Sequence, residues 1–377
     1  MTSDFATSEL IAGPLCGLPE RVVQRARVLA GGGSVALYLT DVEGRCLLRL
    51  AGDGDLPERL DADGAVGPEF DADGIRELCA RLAPRWPDGA VEPLWVLGRA
   101  LGVLVASQSG ESGLGDLVRW AAPMFELATG FTDVFERARR REQPSPAAEM
   151  QLELLPPRLA RVAGGRVAAS VLPAYDVGGD WFDHADNPEG VWLAVGDAMG
   201  KGVRAAAVSA VSVGAFRSAR REGGDGRRCC RKMHYAIHDL GTDTFVTAVV
   251  GFWDPSVSTF TWTNCGHLKP LLVRGDVVRE LSAETTYPLG ILERDRTLPT
   301  ATVRLRSEDR LLMHSDGIVE ARLPDGTRFG VERLQALLTE TADQPPSASV
   351  ATIEREVLDA TSGRVGDDAT QLLLVVD

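Results

Sequence analysis

Four apolar runs in the second half of this 377-residue chain each meet a carboxylate beside a glycine at one end, and no other feature constrains the fold as tightly. In RVAASVLPAYDVGGDWFDH an apolar segment leads through Gly178 and Gly179 to Asp180. In VWLAVGDAMGKGV a buried-type strand from Val191 to Val195 ends on Gly196 and Asp197, and a glycine-punctuated turn then enters an Ala/Val-rich helix. In DRLLMHSDGIVEA the strand Leu311 to Ser315 ends on Asp316 and Gly317, and in GRVGDDATQLLLVVD the pair Asp367 and Asp368 stands directly before the last strand, Gln371 to Val376. Any one of these is explained by turn chemistry, for which Gly and Asp are ordinary residues. Four of them, on strands whose ends can converge at one edge of a packed sheet, predict a site for hard cations. Carboxylates, backbone carbonyls and water are the ligand set of Mg²⁺ or Mn²⁺, whereas zinc would recruit Cys or His. Two such ions sharing a hydroxide suit in-line attack on phosphorus, so these residues predict phosphoester hydrolysis.

Composition removes several alternatives. The length, with 44% hydrophobic and 25% charged residues, predicts an ordinary globular protein of about two domains. With 54 acidic against 40 basic residues the net charge is -14, which repels nucleic-acid backbones and anionic lipid. No apolar run approaches the roughly 20 residues that span a bilayer, and MTSDFATSEL carries no charged-then-apolar leader. The six cysteines lack C-x-x-C spacing, and Cys229 and Cys230 are adjacent, so reduced thiols are expected. These features predict a cytoplasmic protein with neither nucleic acid nor membrane as partner.

The first half reads as helix, hairpin, helix, hairpin. Val22, Val23, Ala26 and Leu29 recur at helical spacing before Gly31–Gly33, SVALYLTDVEGRCLLRLAG forms the first hairpin, GIRELCARLA a short helix, and PLWVLGRALGVLVAS the second hairpin. This order predicts a small α+β domain with an antiparallel sheet and resembles a GAF-type sensory domain over residues 1–112. A stripe of Leu117, Ala121, Met124, Ala128, Phe131 and Phe135 then predicts an amphipathic linker helix, and RARRREQPSPAAE a hinge, together 113–149. A homodimer through this domain and the linker helix is one reading of the stripe; packing on its own domain is the other. The catalytic part is expected at 150–377.

The ordered set YDVGGDWFD, VGDAMGKG, NCGH, PLGI, LLMHSDGIVEA and GDDAT is similar to the motif series of the SpoIIE-like and RsbU-like branch of the PPM (type-2C) metal-dependent protein phosphatases, over about Met150 to Asp377. The resemblance implies an α/β (α+β) fold, an α-β-β-α sandwich of two packed, mostly antiparallel sheets flanked by helices. It implies hydrolysis of phosphoserine or phosphothreonine by water activated between two divalent ions, Mn²⁺ or Mg²⁺, without a side-chain nucleophile. By position, Asp197 would bridge both ions, the Ala198 carbonyl would ligate one, Asp316 and Asp367 would complete the second, and Asp180 would act on the first directly or through its waters. Asp368 would support the site from behind, with Gly179 in the adjoining turn. The family's usual substrates are phosphorylated STAS-domain anti-anti-sigma proteins, and the N-terminal domain would gate the enzyme.

Two departures from the pattern matter. Lys201 stands where many relatives carry His, so proton donation credited to that His does not transfer; Lys can orient phosphate as a point charge or stay solvated. Cys265 replaces a small residue, a packing variant. Asn264 and His267 read as a turn whose side chains bond the backbone, and no other His is assigned chemistry. The basic stretch RSARREGGDGRRCCRK is read as solvated, with contact to an acidic or phosphorylated partner as the alternative. The rival function is a phosphatase-fold module that is catalytically weak or inactive and acts by recognition; a phosphodiesterase or nuclease is disfavoured by charge and motif order.

Overall fold

The structure, a computed structural model, describes residues 13–110, 113–173, 175, 178–241, 243–291, 298–363 and 365–377. Asp176 and Val177 of the first motif lie outside the described residues. The chain divides into two units, Met1–Glu142 and Gln143–Asp377.

In the first unit, α1 (Leu18–Leu29) precedes β1 (Val35–Thr40), β2 (Cys46–Gly52), β3 (Arg59–Asp61), α2 (Ala72–Leu82), β4 (Ala90–Val96) and β5 (Arg99–Ala106). The five strands form an antiparallel sheet in the order β3-β2-β1-β5-β4. Every residue of β1 is buried because both faces are covered: Val35, Leu37 and Leu39 join the core with α1, and Ala36 and Tyr38 join the core with α2. The expected linker segment begins with α3 (Leu114–Ala128), whose Leu117, Val118, Ala121 and Phe125 are buried in the α1 core, followed by the short α4 (Val134–Ala138). Leu117, Ala121, Ala128 and Phe135 of the stripe thus pack on their own unit, with Met124 partly buried against them, whereas Phe131 is exposed.

The second unit opens with α5 (Pro146–Leu154), capped by the Ser145 hydroxyl accepting from Ala148 N–H. An expected start at Met150 falls inside this helix. One sheet is built from β8 (Asp180–Asn187), β9 (Gly190–Ala198), β10 (Val246–Asp254), β11 (Thr259–Cys265) and β14 (Thr285–Thr286), with β15 (Ala301–Arg304) also on β11. The other contains, in spatial order, β13 (Val277–Glu280), β12 (Leu271–Arg274), β16 (Arg310–His314), β17 (Ala369–Val376), β7 (Gly165–Leu172) and β6 (Leu159–Val162). All pairings are antiparallel except β11 with β14.

Period-2 burial gives the layers. Phe182, Val191, Leu193, Val195 and Val249 from the first sheet meet Val167, Leu311, Met313, Leu372 and Leu374 from the second, and this is the inter-sheet core. The opposite face of the first sheet carries Trp181, Ala194 and Val250 against α6 (Val203–Arg221) and α7 (Gly226–His238). The second sheet is covered by α10 (Pro346–Ala360), with α8 (Asp316–Val319) and α9 (Val331–Glu340) preceding it. An α-β-β-α sandwich results. All six cysteines are free thiols, and no helix among the described residues is long and apolar enough to cross a membrane.

Candidate metal centre

Register brings the first two acids together. β8 pairs with β9 so that Asp180 lies directly across from Asp197, an arrangement that places two Cβ atoms roughly 5 Å apart. Like charges so placed are tolerated only where something holds them or neutralises them. Asp180 is buried and its Oδ2 has no hydrogen-bond partner among the described residues. Burial first, then the charges of Asp197 and Asp368, push its carboxyl well above the usual range. Burial followed by Asp316, Asp367 and Asp368 raises Asp197 to about 6.

Asp368 arrives from the other sheet, one residue ahead of β17, and organises the turn into β8. Its Oδ2 accepts the backbone N–H groups of Gly178 (3.1 Å), Gly179 (2.7 Å) and Asp180 (3.0 Å), and the Gln151 side-chain amide at 3.2 Å. These bonds favour the carboxylate, yet burial outweighs them and raises the group to about 6. Its Oδ1 is buried without a hydrogen-bond partner among the described residues. Gly179 in turn takes the Ala198 N–H on its carbonyl at 3.2 Å and the Ser209 hydroxyl on the same oxygen. A Cβ at Gly179 would stand 2.9 Å from the Ala198 carbonyl oxygen, so glycine lets the two strand ends close on each other.

Asp316 and Asp367 are exposed at the rim. Asp316 opens α8, and burial, Asp367 and Glu320 raise its carboxyl. The neighbouring Gly317 is indispensable to this placement, because a Cβ there would lie 1.9 Å from the Asp368 carbonyl oxygen. Asp316, Gly317, Glu320, Arg322, Gly366 and Asp367 line a shallow cleft of about 260 Å³. Lys201 donates to the Gly366 carbonyl at 2.5 Å and stands 3.5 Å from Asp367 Oδ1.

Asn264 and His267 sit behind the acids. Asn264 Oδ1 accepts the His267 N–H at 2.9 Å, and its amide donates to the carbonyls of His267 and Leu268. The buried His267 ring bonds Thr247 Oγ1 at 2.8 Å and the His314 carbonyl at 3.1 Å, and burial lowers its pKa to about 3. It is therefore a neutral structural imidazole.

Two contributors escaped the sequence reading, and a third, Gly317, was read only as part of a turn. Gln151 on α5 donates to the Asp180 carbonyl at 2.7 Å as well as to Asp368. Ser209 on α6 and Gly317 on α8 hold backbone positions. Their only signal was location beside a motif or on an amphipathic helix, which does not distinguish a bracing residue from a core residue.

No three His, Cys, Asp or Glu side chains among the described residues are already gathered round one point as ligands. The donor chemistry nevertheless fits hard cations: five aspartates, two of them with orphaned buried oxygens, and the Ala198 carbonyl, with no thiolate among them.

Residues 187–377, just over half of the chain, match the family described as Stage II sporulation protein E (SpoIIE). The chain belongs to the SpoIIE family. The match starts after Asp180, whose place at the site rests on its pairing with Asp197. Phosphoserine phosphatase RsbU of Bacillus subtilis (strain 168) is 23% identical over 233 residues, 60% of this SpoIIE-family chain and 68% of the relative. Among solved structures, the SiaA-PP2C domain of Pseudomonas aeruginosa is similar with a TM-score of 0.50 at 20% identity, covering 55% of this chain and 86% of that one. The RsbU and RsbW domains of a Mycobacterium tuberculosis protein give 0.50 at 23%, covering 58% and 62%. At these identities the likeness to solved structures establishes the fold.

Proposed function

We propose that this SpoIIE-family chain is a Mn²⁺- or Mg²⁺-dependent protein phosphatase acting on phosphoserine or phosphothreonine. The observation that carries the reading is the cross-strand pair Asp180–Asp197, closed from the other sheet by Asp368 and flanked at the rim by Asp316 and Asp367. Asp180, Asp197, Asp316, Asp367 and the Ala198 carbonyl would hold two divalent ions, which supply charge neutralisation at phosphorus and a water acidic enough to attack at neutral pH. The chain's own residues position the reaction: Asp368 and Gln151 fix the Gly178–Asp180 turn, and Arg322 lines the cleft where a phosphate would present its oxygens.

The substrate we favour is a phosphorylated STAS-type anti-anti-sigma regulator, in keeping with the RsbU relative's name as a phosphoserine phosphatase. Gating by the N-terminal unit is part of the proposal. Its support is that α5, the first helix after the unit division, touches the site through Gln151.

The test is hydrolysis of p-nitrophenyl phosphate and a phosphoserine peptide by the full chain with Mn²⁺ or with EDTA, alongside Asp197→Ala. Turnover that needs the metal and falls at least about a thousandfold in the variant is expected. A Mn²⁺-induced rise in Tm present in the wild type and absent in Asp197→Ala gives a readout independent of turnover. Comparable activity in EDTA would sink the proposal.

The rival reading, a weak or silent module, is favoured by Lys201, whose ammonium already sits against Gly366 and Asp367. Metal binding without turnover, restored by Lys201→His, would decide for it.

A further inference from the structure

The basic stretch around Arg220–Arg228 takes no part in the metal chemistry, and it forms one wall of a cavity of about 890 Å³ at the far end of the first sheet. β8 leaves the metal centre at Asp180 and reaches this cavity at Asn187, seven residue steps or about 23 Å away. The volume is that of a small-molecule site.

Its walls divide by chemistry. One side is aromatic, formed by Trp192 and Phe252 with ring centroids 4.9 Å apart. The other is cationic and rich in backbone donors, with Arg220, Arg221 and Arg227 around the turn that joins α6 to α7. Gly223 takes φ +74° in that turn, and Asp225 caps α7 by accepting from Arg228 N–H at 2.8 Å. Cys229 N–H bonds the Asp225 carbonyl, so the N–H groups of Gly226 and Arg227 are left without intrahelical partners at the positive end of a 13-residue helix. Glu189 and Asp225 also line the cavity, but Asp225 is engaged as the cap, and with Arg220 paired to Asp183 the guanidiniums of Arg221 and Arg227 stand against Glu189.

An independent observation points to a ligand. Thr263, 1% exposed, lines this cavity on the sheet face that carries Trp192 and Phe252, and its Oγ1 has no hydrogen-bond partner among the described residues. Buried polar atoms in folded proteins are nearly always paired, so an orphaned buried hydroxyl in the cavity wall is unusual.

We propose that this cavity binds an aromatic phosphate of the nucleoside monophosphate class, with its base against Trp192 and Phe252 and its phosphate among Arg221, Arg227 and the α7 N-terminus. A bare phosphate would leave the aromatic wall unused, and an uncharged ring would leave the cationic wall unused.

The experiment titrates AMP and GMP into the full chain in EDTA, which withholds divalent ions from the aspartate site, and follows tryptophan fluorescence and Tm. Saturable quenching with a Kd below about 1 mM is expected, with adenosine and inorganic phosphate each at least about tenfold weaker. The double variant Arg221→Glu/Arg227→Glu, at exposed positions, should keep the Tm of the free protein and lose at least about tenfold in affinity. Asp197→Ala should bind as the wild type does. No saturable response to either nucleotide up to about 10 mM, affinity unchanged in the double variant, or binding lost in Asp197→Ala would each overturn the proposal. Because the readout is binding, none of these outcomes bears on whether the aspartate site is a phosphatase.

Discussion

Asp368 shows how one side chain can fix a site without being its most exposed acid. Its single Oδ2 satisfies three consecutive backbone N–H groups that burial would otherwise orphan. Asp368→Ala should therefore lower the unfolding free energy by roughly 2–4 kcal/mol, while Asp368→Asn, which keeps an acceptor oxygen, should lose less than half of that. Urea denaturation of the two variants checks this, and equal losses would mean that charge rather than acceptor geometry holds the turn. His267 makes a pH prediction. Its folded pKa of about 3 lies below the unfolded value of about 6.5, so the unfolded chain binds the extra proton between these limits. The stability that the neutral ring allows is complete above the unfolded value and is lost as pH falls towards 3. Relative to His267→Gln, the wild type should lose about 1.2 kcal/mol between neutrality and about pH 5.5, measured as the difference between the two denaturation curves at each pH.

At the scale of elements, α8 is a four-residue helix whose position depends on one missing methyl group. With a Cβ 1.9 Å from the Asp368 carbonyl oxygen, Gly317→Ala must push α8 off β17. The expected cost is roughly 1–3 kcal/mol of stability, together with a weaker Mn²⁺-induced Tm shift because Asp316 moves with the helix. Gly366→Ala, where an added Cβ meets nothing within 4 Å, is the control and should leave stability within about 0.5 kcal/mol. Thermal melts with and without Mn²⁺ separate the two, and equal behaviour would show that α8 has room to adjust.

At the scale of the molecule, the division between Glu142 and Gln143 leaves α5 wholly with the catalytic unit. A chain of residues 143–377 should unfold in one cooperative transition, because it keeps both sheets, the inter-sheet core and the Gln151 bonds. A chain of residues 155–377 loses α5, the Ala147 contact behind Gly178 and both Gln151 bonds, and should be less stable by at least about 2 kcal/mol. Calorimetry of the two fragments measures the difference. Equal stability would remove α5 from any part in holding the site.

The strand ends, the glycine turns and the alternation of apolar residues were legible in the sequence because they are local. A continuous apolar run marks β9 as a strand buried on both faces, and an aspartate beside a glycine marks where β9 and β16 hand over to their turns. The same locality explains the first unit: helix and hairpin order could be read from spacing, although order alone says nothing about what that unit binds. Pairing was not local. Nothing in the spacing states that Asp180 faces Asp197 across a ladder, that Asp368 reaches back 188 to 190 residues to the Gly178–Asp180 turn, or that Gln151 joins them. Nor does it place a basic run beside Trp192 and Phe252 at the opposite end of the sheet. A sequence pattern specifies which face of a strand is buried, but the neighbour and the register follow from how two sheets and their helices pack, and the chemistry of both ends of this sandwich depends on that packing.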